Sequence, residues 1–308
     1  MTINAHTDWT TPAFDQMPVA AAIGPFASPA MLRAWHEARG SGEVMLLEGP
    51  EALLALEQNG DTIRLLGETD LFDYHSPLGP GAAKLVAEWG ASLPHGTALD
   101  LDSLPAAAAD VVMGGLREAG LSPTAAVHES AAVLELAGDY EAYLASLDKK
   151  QRHETRRKRR RFSEILGTPR LIRDEGPDAV ARFAAMHRLA DGHKGQFMTA
   201  EMEALFGVFH SKADAVIDFL YGDADEPVAA AFAFEDDDAY YLYNSAYLPE
   251  ASAASPGIVL VAELIRHTTE AAHHRFDFLK GDEVYKYRLG ATARPLWRIQ
   301  ATVGAGQS

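Results

Sequence analysis

The sequence predicts a mixed α/β fold in two halves, each a central mixed sheet flanked by helices. Three observations carry this. Strand-like and helix-like periodicities alternate along all 308 residues instead of segregating. The length suits about two domains of roughly 150 residues each. A complete strand–helix–strand unit runs from Tyr240 to Gly290, and its return strand implies a parallel, right-handed crossover. The expected boundary lies near Gly138, giving domains at 1–138 and 139–308.

In the first half, SPAMLRAWHEA opens a helix capped by Ser28. VMLLEG (from Val44), TIRLLGE (from Thr62) and TALDLDS (from Thr97) read as strands. GPGAAKLVAEWGA (from Gly79) and LPAAAADVVMGGLREAG (from Leu104) read as helices. TAAVHES and AAVLELA, from Thr124 and Ala131, read as two further strands. In the second half DYEAYLASL is helical from Asp139, and a basic run continues as a helix to about Leu166, where Gly167 and Pro169 stop it. RLIRDE is a strand; PDAVARFAAMHRLA and AEMEALFGVFHSK are helices. AVIDFLYG, PVAAAFAFE and AYYLYNSAYL form three strands joined by acidic turns, DADE and EDDD. A helix from Ser255 to about His273, a strand RFDFL, a short helix near Tyr285 and a last strand LWRIQATV complete the chain.

Composition narrows the function. No apolar run approaches the ~20 residues of a membrane helix. The opening MTINAHTDWTTPAFDQMPVAAAIGPF has no basic n-region, so no signal peptide is expected and the protein reads as soluble and cytoplasmic. Cysteine is absent, which excludes disulfides, thiolate metal sites and cysteine nucleophiles. The net charge of −17 hides an asymmetry: KKQRHETRRKRRR, from Lys149 to Arg161, holds nine of the 27 Lys and Arg residues and one acid. The rest of the surface repels nucleic acid, so general DNA binding is not expected, whereas one concentrated anion site is.

The unit from Tyr240 is the most informative stretch. Strict alternation places Tyr240, Leu242, Asn244 and Ala246 on one face of its strand and Tyr241, Tyr243, Ser245 and Tyr247 on the other. Ser255 suits an N-cap and Pro256 the first helical position, while Gly257 leaves room for a ligand at the helix start, an anion site. The same Ser-Pro-Gly is also simply a good helix opening. The closing motif is FDFLKGDEVYKYRLG, in which Asp277, Gly281, Asp282, Tyr285, Lys286 and Gly290 are the marked positions.

With the basic helix SLDKKQRHETRRKRRRF and the start SPGIVL, this motif resembles the GNAT acyltransferases. More narrowly it resembles the CelD-like acetyltransferase family, associated in bacteria with cellulose or exopolysaccharide biosynthesis. The likeness spans about Tyr143 to Val303, and FASPAMLRAW and DYHSPLG extend it weakly into the first half. The family is also similar to the FemAB-type aminoacyl transferases, which implies tandem GNAT-like domains. One departure stands out. The GNAT phosphate signature, Gln or Arg then x-x-Gly-x-Gly or Ala, is replaced by AASPG at Ala253–Gly257. Fem-like transferases, which use aminoacyl-tRNA, also lack it.

The resemblance implies an N-acyltransferase that moves an acyl group, most simply acetyl from acetyl-CoA, to an amine such as an amino sugar or polysaccharide precursor. It implies that Tyr285 protonates the leaving thiolate, a phenol of pKa about 10 acting on a thiol of about 8.5. It places Lys286 at an anionic substrate or oxyanion, and the donor at Ser255, Pro256, Gly257, Tyr243 and Ser245, with backbone amides of the Tyr240–Tyr247 strand holding the acyl oxygen. From the residues themselves, Asp277 sits between Phe276 and Phe278 and needs a partner: it is a base for the amine or, more simply, an ion-pair residue. Asp282 and Glu283 are loop carboxylates open to substrate binding or to solvent. Arg152, Arg156 and Arg160 share one helix face at i, i+4, i+8 and are the expected phosphate ligands of CoA, a nucleotide sugar or tRNA. From Asp148 to Arg161 no residue is apolar, so this helix has no buried stripe of its own. His187, His193, His267, His273 and His274 assemble no metal pattern, and no metal is expected. An aminoacyl-tRNA-dependent transferase and a catalytically silent sensor or scaffold remain the alternatives.

Overall fold

The computed structural model describes residues 3–10, 24–40 and 42–304. The opening stretch read for a leader includes 11–23, which lie outside them. The fold is mixed α/β, and the chain divides into two compact units: residues 1–131 with 294–308, and residues 132–293. The final strand therefore returns to the first unit, a return that a division at Gly138 does not contain.

In the first unit the strands are β1 (Asn4–His6), β2 (Glu43–Gly49), β3 (Ala52–Asn59), β4 (Thr62–Leu65), β5 (Ala98–Leu104) and, from Arg294 on, β12 (Thr292–Thr302), in the order β1-β2-β3-β4-β5-β12. All neighbours are antiparallel except β4 and β5. Helix α1 (Pro29–Arg39) starts as its sequence predicts, with Ser28 accepting from the Met31 N–H. Helices α2 (Ala82–Ser92) and α3 (Ala106–Glu118) bury Leu85, Val86, Trp89, Val112 and Leu116 against Leu54, Leu56, Ile63 and Leu99. The sequence reading missed β3. ALLALEQN is rich in helix-favouring residues and is buried without alternation, so pairing with β2 and β4, not local propensity, makes it a strand.

Strand β6 (Thr124–Glu135) leads out of the first unit; the sequence reads it as two strands, and it is one. The second unit then contains α4 (Tyr140–Ser146), α5 (Lys149–Leu166), β7 (Arg170–Arg173), α6 (Ala179–Arg188), α7 (His193–Phe197) and α8 (Ala200–Lys212). Strands β8 (Val216–Tyr221), β9 (Pro227–Glu235) and β10 (Ala239–Tyr247) follow as an antiparallel meander, joined by β7 at its edge. A 3-10 turn (Pro249–Ala254) and α9 (Pro256–Glu270) cross to β11 (Arg275–Lys280), parallel to β10 as expected, and α10 (Val284–Arg288) ends the unit. The strand order is β11-β10-β9-β8-β7.

Each unit thus repeats one plan: an antiparallel meander, a helical crossover, and a parallel strand. In the second unit, α9 covers one face of the sheet with Val259, Leu260, Leu264 and Ile265 over Ala231, Ala233, Leu242 and Phe276. On the other face Phe183, Phe206 and Phe209 pack with Phe232, Phe234 and Tyr243. Among the described residues no helix is long and apolar enough to cross a membrane.

Candidate active site

The site begins where two parallel strands part. β10 and β11 are in register only from Ala239–Arg275 to Tyr241–Asp277. Beyond Tyr241, β10 keeps β9 as its partner, up to Tyr247 opposite Ala229. The edge that faced β11 is left with backbone groups that have no strand partner.

A bulge lies at the same point. Leu242 pairs with Ala233 and Asn244 with Phe232, so Tyr243 is an extra residue on β10. This corrects the strict alternation expected from sequence. Leu242 joins the core under α9, whereas Tyr243 turns its ring to the opposite face, 5.6 Å from both Phe206 and Phe234. Asn244 stays on that same face, and Ser245 returns to the α9 side opposite the buried Ala231. One inserted residue moves every later side chain to the other face.

Asn244 is held by His187 of α6, with Nε2 at 3.1 Å from Asn244 Oδ1. The same oxygen accepts the Ser245 N–H at 2.8 Å, so His187 must donate through Nε2. Its Nδ1 is then an unprotonated acceptor, buried without a partner. Burial, assisted by the nearby Lys194 ammonium, holds the His187 pKa below its ordinary value, so the ring stays neutral.

At the end of β11, Asp277 is 1% exposed, and its Oδ1 accepts the Leu279 N–H at 2.8 Å. That bond holds a bend at which Leu279 adopts a left-handed conformation (φ 60°). Lys286 is buried as well. Its ammonium donates to the Lys280 carbonyl at 2.6 Å and the Gly281 carbonyl at 3.4 Å, and meets the Glu283 carboxylate at 2.9 Å. Those three partners use its three donors. Asp277 and Lys286 therefore shape the β11–α10 connection from inside, while Asp282 and Glu283 face solvent. Gly281 is required there: at φ 107° a side chain is strained, and a Cβ would lie 3.0 Å from Lys286 Nζ.

Tyr285 packs edge-on against Phe278, with centroids 6.1 Å apart. Burial first, then the Glu283 carboxylate, raises its pKa, so the phenol remains protonated. It lines a cleft of about 260 Å³ together with Ile258 of the first turn of α9 and Lys150, Lys158 and Arg288. Helix α5 forms one wall. Contrary to expectation it is anchored: Phe162 and Thr155, seven residues apart, are buried, and Arg159 meets the buried Glu263 at 2.6 Å. Asp148 caps its start by accepting from the Gln151 N–H.

That buried line divides the basic side chains. At 100° per residue, Lys150, Glu154 and Lys158 fall on one flank, and Arg152, Arg156 and Arg160 on the other. The Tyr285 cleft takes the first flank. The three arginines singled out by spacing are elsewhere: Arg152 donates to the Ala145 carbonyl at 3.1 Å, Arg156 pairs with Glu141 at 2.9 Å, and Arg160 lies 3.8 Å from Glu164.

The start of α9 also differs from its sequence reading. Ser255 is left-handed (φ 56°), and its side chain makes no capping bond; Pro256 occupies the first turn as expected. A Cβ on Gly257 would stand 3.2 Å from the ring of Tyr247, so the glycine gives its space to that ring.

Of the predicted site residues, Tyr285 lies in the cleft, and Lys286, Asp277 and Glu283 support it through the β11–α10 turn. Tyr243 and Ser245 mark the bulge, with Tyr243 packed in an aromatic cluster. Sequence reasoning missed Lys150, Lys158, Arg288 and the His187–Asn244 pair. A signal for the lysines existed: the spacing of Thr155 and Phe162 marks the packed side of α5 and hence its flanks.

The first unit has the same parting, since β4 and β5 are in register only from Thr62–Ala98 to Ile63–Leu99. There the segment 66–78 enters: His75 N–H donates to Ser103 O, and Leu71, Phe72 and Tyr74 are buried. Among the described residues there is no group of three His, Asp or Glu side chains that can hold a metal ion.

Comparison with known proteins agrees with this geometry. Residues 149–287 match the model of the acetyltransferase (GNAT) domain family. No curated protein matches the sequence. Among solved structures the fold is similar to FemX (11% identity, 92% of this chain and 93% of that one, TM-score 0.62). It is also similar to L-PGS from Bacillus licheniformis (13%, 92% and 95%, 0.59). A third is a conserved protein of unknown function from Bacteroides thetaiotaomicron VPI-5482 (11%, 89% and 89%, 0.61). The segment matched by the acetyltransferase (GNAT) domain model, 149–287, lies wholly inside the second unit and includes the parted strands and Tyr285, and the fold of the chain is similar to that of FemX.

Proposed function

We propose that the protein is an N-acyltransferase that passes an acyl group from acyl-CoA, most simply acetyl-CoA, to an amine. One observation carries this reading: Tyr285, packed on Phe278 of β11 just past the point where that strand parts from β10, shares a cleft with the first turn of α9 and with three cations against one acid, Glu154. Phosphates of the donor bind Lys150 and Lys158, which are point charges, and Arg288, whose planar fork takes two oxygens. The thioester carbonyl lies against the unpaired edge of β10, whose backbone N–H groups stabilise the oxyanion as the neutral amine attacks. The carbon–sulfur bond then breaks. Because burial raises its pKa, Tyr285 serves as a hydrogen-bond donor to the developing thiolate, and the proton released by the amine is the one that completes the thiol. Asp282 and Glu283, the exposed carboxylates of the turn, are the candidates to take the proton of the amine, Glu283 being the one already paired with Lys286. The chemistry of the acceptor, an amino sugar or polysaccharide precursor in a cytoplasmic setting, follows from the CelD-like resemblance alone.

A second reading keeps the fold and changes the donor to aminoacyl-tRNA. Tyr247 over Gly257 favours it, because the ring occupies the approach that a pyrophosphate would take to that helix start. The likeness to FemX fits it as well. Thermal shift with acetyl-CoA, CoA and total tRNA separates the two. A rise of several degrees with the CoA species supports the first; a rise with tRNA alone supports the second.

A further inference from the structure

The arginine flank of α5 borders a second cavity that the acyl-transfer reading leaves unused. It measures about 400 Å³ and lies between α4, α5 and the end of α9. Arg156, Arg159, Arg160 and Arg266 line it, with Tyr140 and Glu141. Its volume is in the range of small-molecule pockets, roughly 300–1,000 Å³.

Two features make it more than a charged surface. The Arg266 guanidinium lies 4.4 Å above the Tyr140 ring, which fixes its plane. Its Nε is buried without a hydrogen-bond acceptor, the nearest Glu263 oxygen being 3.6 Å away. Glu263 itself is shared, since Arg159 holds it at 2.6 Å, so one carboxylate serves two guanidinium groups. The remaining acids are weak competitors. The Arg156–Glu141 and Arg160–Glu164 pairs are each more than half exposed on both sides, and such pairs are worth about 0–1 kcal/mol. A phosphate presents the geometry that guanidinium forks match, two oxygens to two N–H groups, and it displaces an exposed carboxylate at little cost.

We infer that this groove is a second anion site, separate from the Tyr285 cleft, for a phosphate-bearing small molecule up to the size of a nucleotide. Helix α5 is then a partition, with lysines serving the cleft on one flank and arginines serving this site on the other. The inference does not depend on the identity of the acyl donor.

Calorimetric titration of the full-length protein with inorganic pyrophosphate, at fixed ionic strength, tests it. The wild type is expected to show two classes of site. The double variant R156Q/R160Q should lose one class, weakened at least tenfold, and K150Q/K158Q should lose the other. R156K/R160K keeps the charge but not the fork and should fall between, which guards against a folding defect in the glutamine variant. An unchanged titration of R156Q/R160Q, loss of all binding in K150Q/K158Q, or no saturable binding to the wild type overturns the inference. Failure of the K150Q/K158Q class alone speaks against the cleft and leaves this site standing.

Discussion

Asn244 Oδ1 lies 3.1 Å from His187 Nε2, and this bond joins helix α6 to the residue that follows the bulge in β10. The bulge is where β10 leaves the register that held it to β11, so a buried histidine on a helix braces the strand where the two part. The neutral state of His187 is part of that support. In the unfolded chain it takes a proton as pH falls below 6.5; in the folded chain burial opposes this. The folded pKa is the lower of the two, so stability is complete above 6.5 and declines as pH falls below it. Thermal denaturation from pH 7.5 to 5 should show this loss, with a shallower slope in His187→Asn. Equal slopes for both proteins would remove His187 from the account.

Tyr285→Phe removes the phenol and keeps the ring on Phe278. In an acetyl-CoA transfer assay kcat should fall about a hundredfold with KM little changed, because the missing hydrogen bond forms only as the sulfur leaves. The alkaline limb of the wild-type profile should not report Tyr285, whose pKa is raised by burial.

Lys286 is a positioning residue on this account. Lys286→Met leaves the Lys280 carbonyl and the Glu283 carboxylate without their donor, and the loss should be about 1.5–3 kcal/mol in urea denaturation. Donor affinity measured on the folded variant should change little. A large loss of affinity without loss of stability would instead place Lys286 against the donor.

Phe162 anchors the basic helix. Phe162→Ala should cost about 3–5 kcal/mol, since the ring is fully buried in the core under α9. Arg157→Gln, which breaks only a pair with Glu154 on the same helix, should be within about 0.5 kcal/mol of wild type.

How far the sequence reveals this molecule varies with the kind of interaction. Helix starts at Ser28, Asp139 and Asp148 are local, and the residues state them: each side chain accepts an N–H of its own first turn. The parallel return of β11 is also legible, because its crossover has a fixed hand. β3 is not legible, since its pairing partners and not its composition make it a strand. The bulge at Tyr243 is likewise invisible to a reading of period two, and missing it misplaces Asn244 and Ser245 together. On α5 the run of cations is plain, yet two faces have the same i, i+4, i+8 spacing. Only the burial of Thr155 and Phe162 decides that Lys150 and Lys158, and not Arg152, Arg156 and Arg160, meet Tyr285. Tyr285, Lys286 and Asp277 are found by motif, but the motif does not distinguish a residue that lines the cleft from those that brace it.

The most direct test is equilibrium binding of acetyl-CoA to the wild-type protein and to K150Q/K158Q, both exposed to total tRNA in parallel. The account predicts saturable binding of acetyl-CoA that weakens at least tenfold in the double variant. Binding that ignores the two lysines, or a protein that binds tRNA and not acetyl-CoA, would contradict the assignment of the Tyr285 cleft to an acyl-CoA donor.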